Sequence, residues 1–233
     1  ATHRAVVRAC QSVSRGRAWF STANGAVESL GRGRLELILG PMFAGKTSAL
    51  LKRIRDEEKK GRSILVVKSA KDTRYATDSV VSHDGDSRKC LAVSLLCDLP
   101  EAYLQGVDVV AVDEGQFFPD LLHYCELFAD DGRTVIVAGL DGDFRRKRFG
   151  QVVDLTPLAD TVVKLNSACA VCGSPAPFTA RTVEETGQTL IGGAESYLPM
   201  CRRHYLEHGL GSVSSSEEAD EEIRNKTLSA ANK

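Results

Sequence analysis

One run of eight residues, Gly40-Pro41-Met42-Phe43-Ala44-Gly45-Lys46-Thr47, constrains the fold more than any other feature of this chain. It has the form G-x-x-x-x-G-K-[ST], and its flanks are those the motif's physics demands. Residues 35–39 (LELIL) predict a short strand before it. Residues 48–60 carry Leu50, Leu51 and Ile54 among charges, which predicts a helix after it, with Gly61 as terminator. Between strand and helix, the backbone N–H groups of such a loop wrap phosphates, and the helix start adds partial positive charge. Lys46 can reach the outer phosphates, and the Thr47 hydroxyl can ligate Mg²⁺. A plain glycine turn with a surface lysine would share the letters but has no need of that setting.

The same alternation continues downstream. Residues 64–67, 107–113 and 134–140 read as nearly continuous apolar strands. Residues 120–130 predict a helix that Asp120 can cap, and 95–104 a weaker one interrupted by Pro100. Continuous apolar strands separated by helices imply a mostly parallel sheet covered on both faces. With 42% hydrophobic residues the chain can bury a sizeable core, which excludes disorder throughout. No apolar run approaches the roughly 20 residues of a membrane helix. Thirty basic and 31 acidic side chains leave a net charge of −1, so no global field favours nucleic acid or a membrane surface.

A phosphate-cradling loop needs an acidic partner for its metal, and the strand ending in Asp113-Glu114 supplies one. Asp113 is the candidate metal partner. Strand alternation turns Glu114 to the other side, where it can accept a proton from a substrate hydroxyl. Both carboxylates could instead merely end a strand.

Seven cysteines, an odd number, argue against a secreted disulfide framework. Four positions form two knuckles, Cys169-x-x-Cys172 and Cys201-x-x-His204, a donor set suited to a tetrahedral structural Zn²⁺ with no open position. The 28 residues between the knuckles read as a long loop pinned at its base. Cys10, Cys90, Cys97 and Cys125 show no paired spacing, and His83, His123 and His208 have no visible partner. Within the loop, Gly192-Gly193 allows close backbone approach to a flat ligand, and Tyr197 can stack on it or bond to it. The basic run Arg145 to Arg148 suits either phosphate contact or a solvated loop.

These features divide the chain into residues 1–34, 35–167, 168–210 and 211–233. The first segment holds six arginines, no lysine and one acid, Glu28, the composition of an organellar transit segment or of a plain leader. The last is polar, with Glu217, Glu218, Asp220, Glu221 and Glu222, and reads as a solvated tail.

Taken in order, the run 40–47, Asp113-Glu114-Gly115-Gln116-Phe117-Phe118, Gly139-Leu140-Asp141-Gly142-Asp143-Phe144 and the two knuckles resemble the cellular, type II thymidine kinases. Lys71-Asp72-Thr73-Arg74-Tyr75 and Ile191-Gly192-Gly193-Ala194-Glu195-Ser196-Tyr197 match as well, so the resemblance spans about residues 35–207. It implies a P-loop NTPase-like α/β domain with a small zinc-ribbon-like lasso over the nucleoside. The implied reaction is ATP- and Mg²⁺-dependent phosphorylation of thymidine, and of deoxyuridine, on the 5′-hydroxyl, a step of nucleoside salvage. Glu114 corresponds to the catalytic base. Gly40 to Thr47, Asp72, Thr73, Arg74, Asp113 and Gln116 correspond to the nucleotide site. Phe117, Leu140, Phe144, Gln188, Thr189, Leu190, Ile191, Gly192 and Tyr197 correspond to the nucleoside site, with Met42 near the base. The family also implies a homotetramer, inhibition by thymidine triphosphate, and no membrane or nucleic-acid partner. Its setting would be the cytoplasm, or a mitochondrion or plastid if the leader is an import signal. Three positions depart from the usual pattern: His204 replaces a fourth cysteine, Arg148 a proline and Ala44 a serine.

Two rivals compete. A P-loop ATPase with a nucleic-acid-binding zinc module would need a basic lobe, yet residues 169–204 balance Arg181, Arg202 and Arg203 against Glu184, Glu185 and Glu195. A non-catalytic nucleotide sensor would have no use for Glu114 beside Asp113.

Overall fold

The computed structural model describes residues 33–72, 79–81, 85 and 87–212. The Arg-rich leader up to residue 32, Thr73, Arg74, His83 and the acidic tail from residue 213 lie outside the described residues.

Six strands form one parallel sheet: β1 (Arg34–Leu39), β2 (Ile64–Ser69), β5 (Leu91–Val93), β6 (Val109–Asp113), β7 (Thr134–Gly139) and β8 (Thr161–Lys164), in the order β5-β2-β6-β7-β1-β8. β3 (Ser79–Val81) and β4 (Ser87–Lys89) make a small antiparallel ribbon beside it. The predicted strands are all present. β8 was not legible, because three of its four residues are exposed and the strand carries no apolar run.

The sheet is covered on both faces because its strands alternate between two cores. Val110, Val112, Val135 and Val137 pack with Leu121, Tyr124 and Phe128 of α3 (Leu121–Asp130) and with Leu96, Leu99 and Leu104, the last from the short α2 (Glu101–Leu104). Val109, Ala111, Ile136 and Ala138 pack with Leu50, Leu51 and Ile54 of α1 (Lys46–Glu58). A residue in step with Val109 and Ala111 therefore faces α1, and that residue is Asp113.

Asp120 does not cap α3. Its carboxylate accepts the backbone N–H groups of Leu96 (3.1 Å) and Cys97 (3.0 Å), an alternative supply of donors from a distant turn. Burial raises its pKa against the pull of those bonds.

Residues 167–212 form a lobe of short antiparallel ribbons closed by a helix. β9 (Ser167–Ala168) pairs with β10 (Pro175–Ala176), and β11 (Phe178–Arg181) with β12 (Tyr197–Met200), followed by α4 (Arg202–Ser212). The segment between the knuckles is thus partly structured; its longest stretch without helix or strand is residues 182–196, between β11 and β12. No helix among the described residues is long and apolar enough to cross a membrane.

Candidate active site

Parallel strands present their carboxyl ends to one edge, where open α/β sheets place ligands. The loop after β1 shows why the motif needs glycine at its first position. Gly40 has φ 150°, and a Cβ there would lie 2.6 Å from the Leu165 carbonyl oxygen. Phe43 and Gly45 also take positive φ, 62° and 76°, as the chain wraps into the start of α1. Lys46 Nζ donates to the Pro41 carbonyl at 2.6 Å, which places its charge inside the loop's curl.

The Thr47 hydroxyl donates to Asp113 Oδ2 at 3.1 Å, so the two expected metal ligands already touch. Asp113 is buried; desolvation, reinforced by the Glu114 charge, pushes its pKa up to about 7. Glu114 does not follow strand alternation. It takes a left-handed φ of 53° after the strand ends, leaving its charge close enough to act on Asp113. Gln116 Nε2 donates to Glu114 Oε2, while its Oε1 accepts the Leu140 N–H at 3.0 Å. Gln116 thereby ties the acid pair to the end of β7. Asp72 is buried beside Lys68, whose Nζ lies 3.9 Å from its carboxylate. Lys68 pairs in register with Asp113.

A third apolar cluster joins the loop to the lobe: Met42, Leu140, Phe149 and Tyr197, with Phe117, Phe144 and Leu190 against them. It borders a cavity of about 420 Å³, part of it open to solvent. Of the residues expected at a nucleoside, Leu140, Phe144, Gln188, Thr189, Leu190, Ile191, Gly192 and Tyr197 line this cavity, as does Met42. Phe117 sits behind the lining, its ring edge-on to Phe149 with centroids 5.6 Å apart.

Asp143, Thr179 and Arg181 line the cavity without having been singled out from sequence. Thr179 Oγ1 accepts the Met42 N–H at 3.0 Å, a buried bond between the phosphate loop and the lobe. Asp143 Oδ2 accepts from Gln188 Nε2 at 2.9 Å. Arg145, Arg146, Lys147 and Arg148 are all exposed, and the three arginines also find partners within the chain. Arg145 donates to the Thr186 carbonyl and lies over Phe144, Arg146 lies 4.8 Å from the Tyr205 ring centroid, and Arg148 pairs with Asp154. His208 is also engaged, with Nε2 3.0 Å from the Arg181 carbonyl.

The four knuckle residues converge. One ligand atom from each of Cys169, Cys172, Cys201 and His204 lies within 4.8 Å of the others, and together they could hold a metal ion. The Cys172 and Cys201 sulfurs are 3.9 Å apart, and His204 Nδ1 is 3.4 Å and 3.3 Å from those of Cys169 and Cys201. Zn–S bonds of about 2.3 Å give a tetrahedron edge of roughly 3.8 Å, so the donor set fits zinc. The backbone N–H of Cys201, above other donors, draws the Cys169 thiol down to about 5, favouring thiolate. His204 Nε2 points outward, 3.8 Å from Glu207 Oε2, a common support for a metal-bound imidazole.

The family model for thymidine kinase matches residues 33–205. Among curated proteins, thymidine kinase a of Arabidopsis thaliana is 49% identical over 185 residues, 77% of this chain and 78% of that one. Cytosolic thymidine kinase of Homo sapiens is 45% identical over 180 residues, 77% and 76% of the two chains. A thymidine kinase of Variola virus is 41% identical over 175 residues, 75% of this chain but 98% of the viral one.

Proposed function

Because this chain belongs to the thymidine kinase family, we propose that it transfers the terminal phosphoryl group of ATP to the 5′-hydroxyl of thymidine, and of deoxyuridine, in nucleoside salvage. The observation that carries the reading is a shared wall. Met42 belongs to the phosphate loop and also lines the cavity that Tyr197 closes from the lobe. Donor and acceptor sites so close together suit direct transfer.

Phosphoryl transfer needs mainly positioning and charge stabilisation. In this reading the amides of residues 40–47 cradle the phosphates, and Lys46 exchanges the Pro41 carbonyl for phosphate oxygens. Thr47 and Asp113 would hold Mg²⁺, which would supply positive charge against the charge that develops on the phosphates. Glu114 accepts the proton of the 5′-hydroxyl, with Gln116 fixing its carboxylate. Asp72, Thr73 and Arg74 belong to the nucleotide side. Phe117, Leu140 and Phe144 frame the base, and residues 188–192 with Tyr197 cover it. Zn²⁺ on Cys169, Cys172, Cys201 and His204 has a structural role, since four protein donors complete its coordination.

The same reading includes a homotetramer and thymidine triphosphate as feedback inhibitor. Its compartment is the cytoplasm, or a mitochondrion or plastid if residues 1–34 act as an import signal. The test is a radiolabelled phosphorylation assay with thymidine, deoxyuridine and cytidine, and with single-stranded DNA as a stimulant control. Labelled thymidine monophosphate is expected. ATP turnover that depends on DNA and leaves thymidine unlabelled would overturn the proposal.

A further inference from the structure

We infer that Arg181 is a positioning residue that holds the lasso segment in its nucleoside-ready shape before any nucleoside arrives. This rests on the thymidine reading of the cavity.

Residues 182–196 have no strand ladder of their own; main-chain bonds join Thr182 to Ser196 and turn the chain at Gly193, and between these the shape rests on side chains. Arg181, at the end of β11 and only 7% exposed, holds three of the segment's carbonyls by itself. Its Nη1 donates to the carbonyls of Glu185 (2.7 Å) and Gly187 (2.5 Å). Its Nη2 donates to the Gln188 carbonyl (3.1 Å) and to the Tyr197 hydroxyl (2.7 Å). That hydroxyl passes the constraint on, donating to the Leu190 carbonyl at 2.8 Å. The guanidinium lies 3.8 Å from the Phe144 ring centroid, which fixes its plane.

One planar cation therefore gathers three carbonyls directly and a fourth through Tyr197. Lysine cannot do this: its ammonium is a point charge without the fork or the stacking plane. The metal knuckles clamp the segment only at its distant ends, near residues 172 and 201. Between them, Arg181 fixes the carbonyl of Gln188 directly and that of Leu190 through Tyr197, two of the residues that line the cavity. Without it, the closed shape becomes one of several, and the apparent affinity for a ligand of that shape falls by the lost fraction. Among the described residues the Arg181 side chain bonds to Glu185, Gly187, Gln188 and Tyr197 and not to the phosphate loop, so ATP binding should be spared.

The test compares full-length wild type, Arg181→Lys and Arg181→Met by steady-state kinetics, varying each substrate in turn. The thymidine KM is expected to rise by about tenfold or more in Arg181→Met, with kcat less affected and the ATP KM unchanged. Arg181→Lys should recover only part of the loss. A folded Arg181→Met with wild-type thymidine KM overturns the inference. So does a parallel rise of both KM values with a lowered Tm, the mark of general structural damage. Should neither variant fold, proton–nitrogen NMR of the unliganded wild type decides. Resolved, slowly exchanging Nη signals from Arg181 support the inference, and averaged, fast-exchanging ones overturn it. If the wild type fails to phosphorylate thymidine, the functional reading falls instead, while the NMR result still reports whether Arg181 is locked.

Discussion

The two walls of the candidate site, the loop after β1 and the lobe beside it, are built on opposite plans. The phosphate wall stands on regular structure: β1, α1 and β6 place Gly40, Thr47 and Asp113 through the pitch of a strand and the first turn of a helix. The nucleoside wall has little regular structure. One arginine and a few side-chain bonds to main-chain carbonyls shape residues 182–196, with a Cys/His cluster that could hold a metal at the base of the lobe. The first wall is rigid by construction and holds a ligand part common to many enzymes. The second is assembled contact by contact, which permits shape to be matched to one ligand.

The largest expected effect lies between the walls. Glu114→Gln keeps the size and the Gln116 contact but loses the proton acceptor, so kcat should fall by about 10² to 10⁴ while thymidine binding persists. Single-turnover kinetics with equilibrium binding will check it; full activity would remove Glu114 from the base role. Next comes the lobe. Cys172→Ser should lower bound zinc and raise the thymidine KM, while circular dichroism of the sheet changes little. Unchanged metal content and KM would show that the knuckles do not clamp the segment through a metal.

A paired substitution sharpens the contrast. Thr179→Val strands the buried Met42 N–H and should cost about 1–3 kcal/mol, read as lower Tm together with weaker binding of both substrates. Asp120→Ala strands the amides of Leu96 and Cys97 for a similar cost, about 1–3 kcal/mol, but sits far from the lobe and should leave the thymidine KM alone. Equal effects on KM from both would erase the distinction between joint and scaffold.

The smallest effect is electrostatic and belongs to the phosphate wall. Burial, then the Glu114 charge, holds the Asp113 pKa near 7, so below that pH the metal must displace a proton. Affinity for Mg·ATP should therefore weaken by about tenfold per pH unit as pH drops below 7. The stability sign is opposite. The folded, unliganded chain keeps this proton up to about 7, whereas the unfolded chain loses it near 3.8, so Asp113's contribution falls as pH rises through that window. Titration calorimetry and pH-dependent melting read the two signs separately.

The contrast also explains what could be read in the sequence. Gly40 to Thr47 and Asp113 were legible because strand, loop and helix demands fall on neighbouring residues. The convergence of Cys169, Cys172, Cys201 and His204 was legible because the spacing within each pair is local. Arg181 and Thr179 were not, since they bond to main-chain groups at positions 42 and 185–188, and a carbonyl or amide leaves no trace in residue identity. Asp120 was misassigned for a related reason: a carboxylate before a helix caps it unless other donors claim it first, and here the turn at Leu96 does. Arg145 to Arg148 left phosphate contact and a solvated loop both open, because sequence shows charge but not exposure or partners; the run is exposed, as a solvated loop would be.

The lobe is sewn to the sheet at several points beside the phosphate loop. Just ahead of the lobe, the Leu165 N–H meets the Leu39 carbonyl; within it, the Ser167 hydroxyl meets the Phe43 carbonyl, and Thr179 meets Met42. Swinging the whole lobe as a clamshell would break these bonds, whereas moving residues 182–196 would spare them. An opening of the cavity that keeps the seams intact is therefore confined to some fifteen residues.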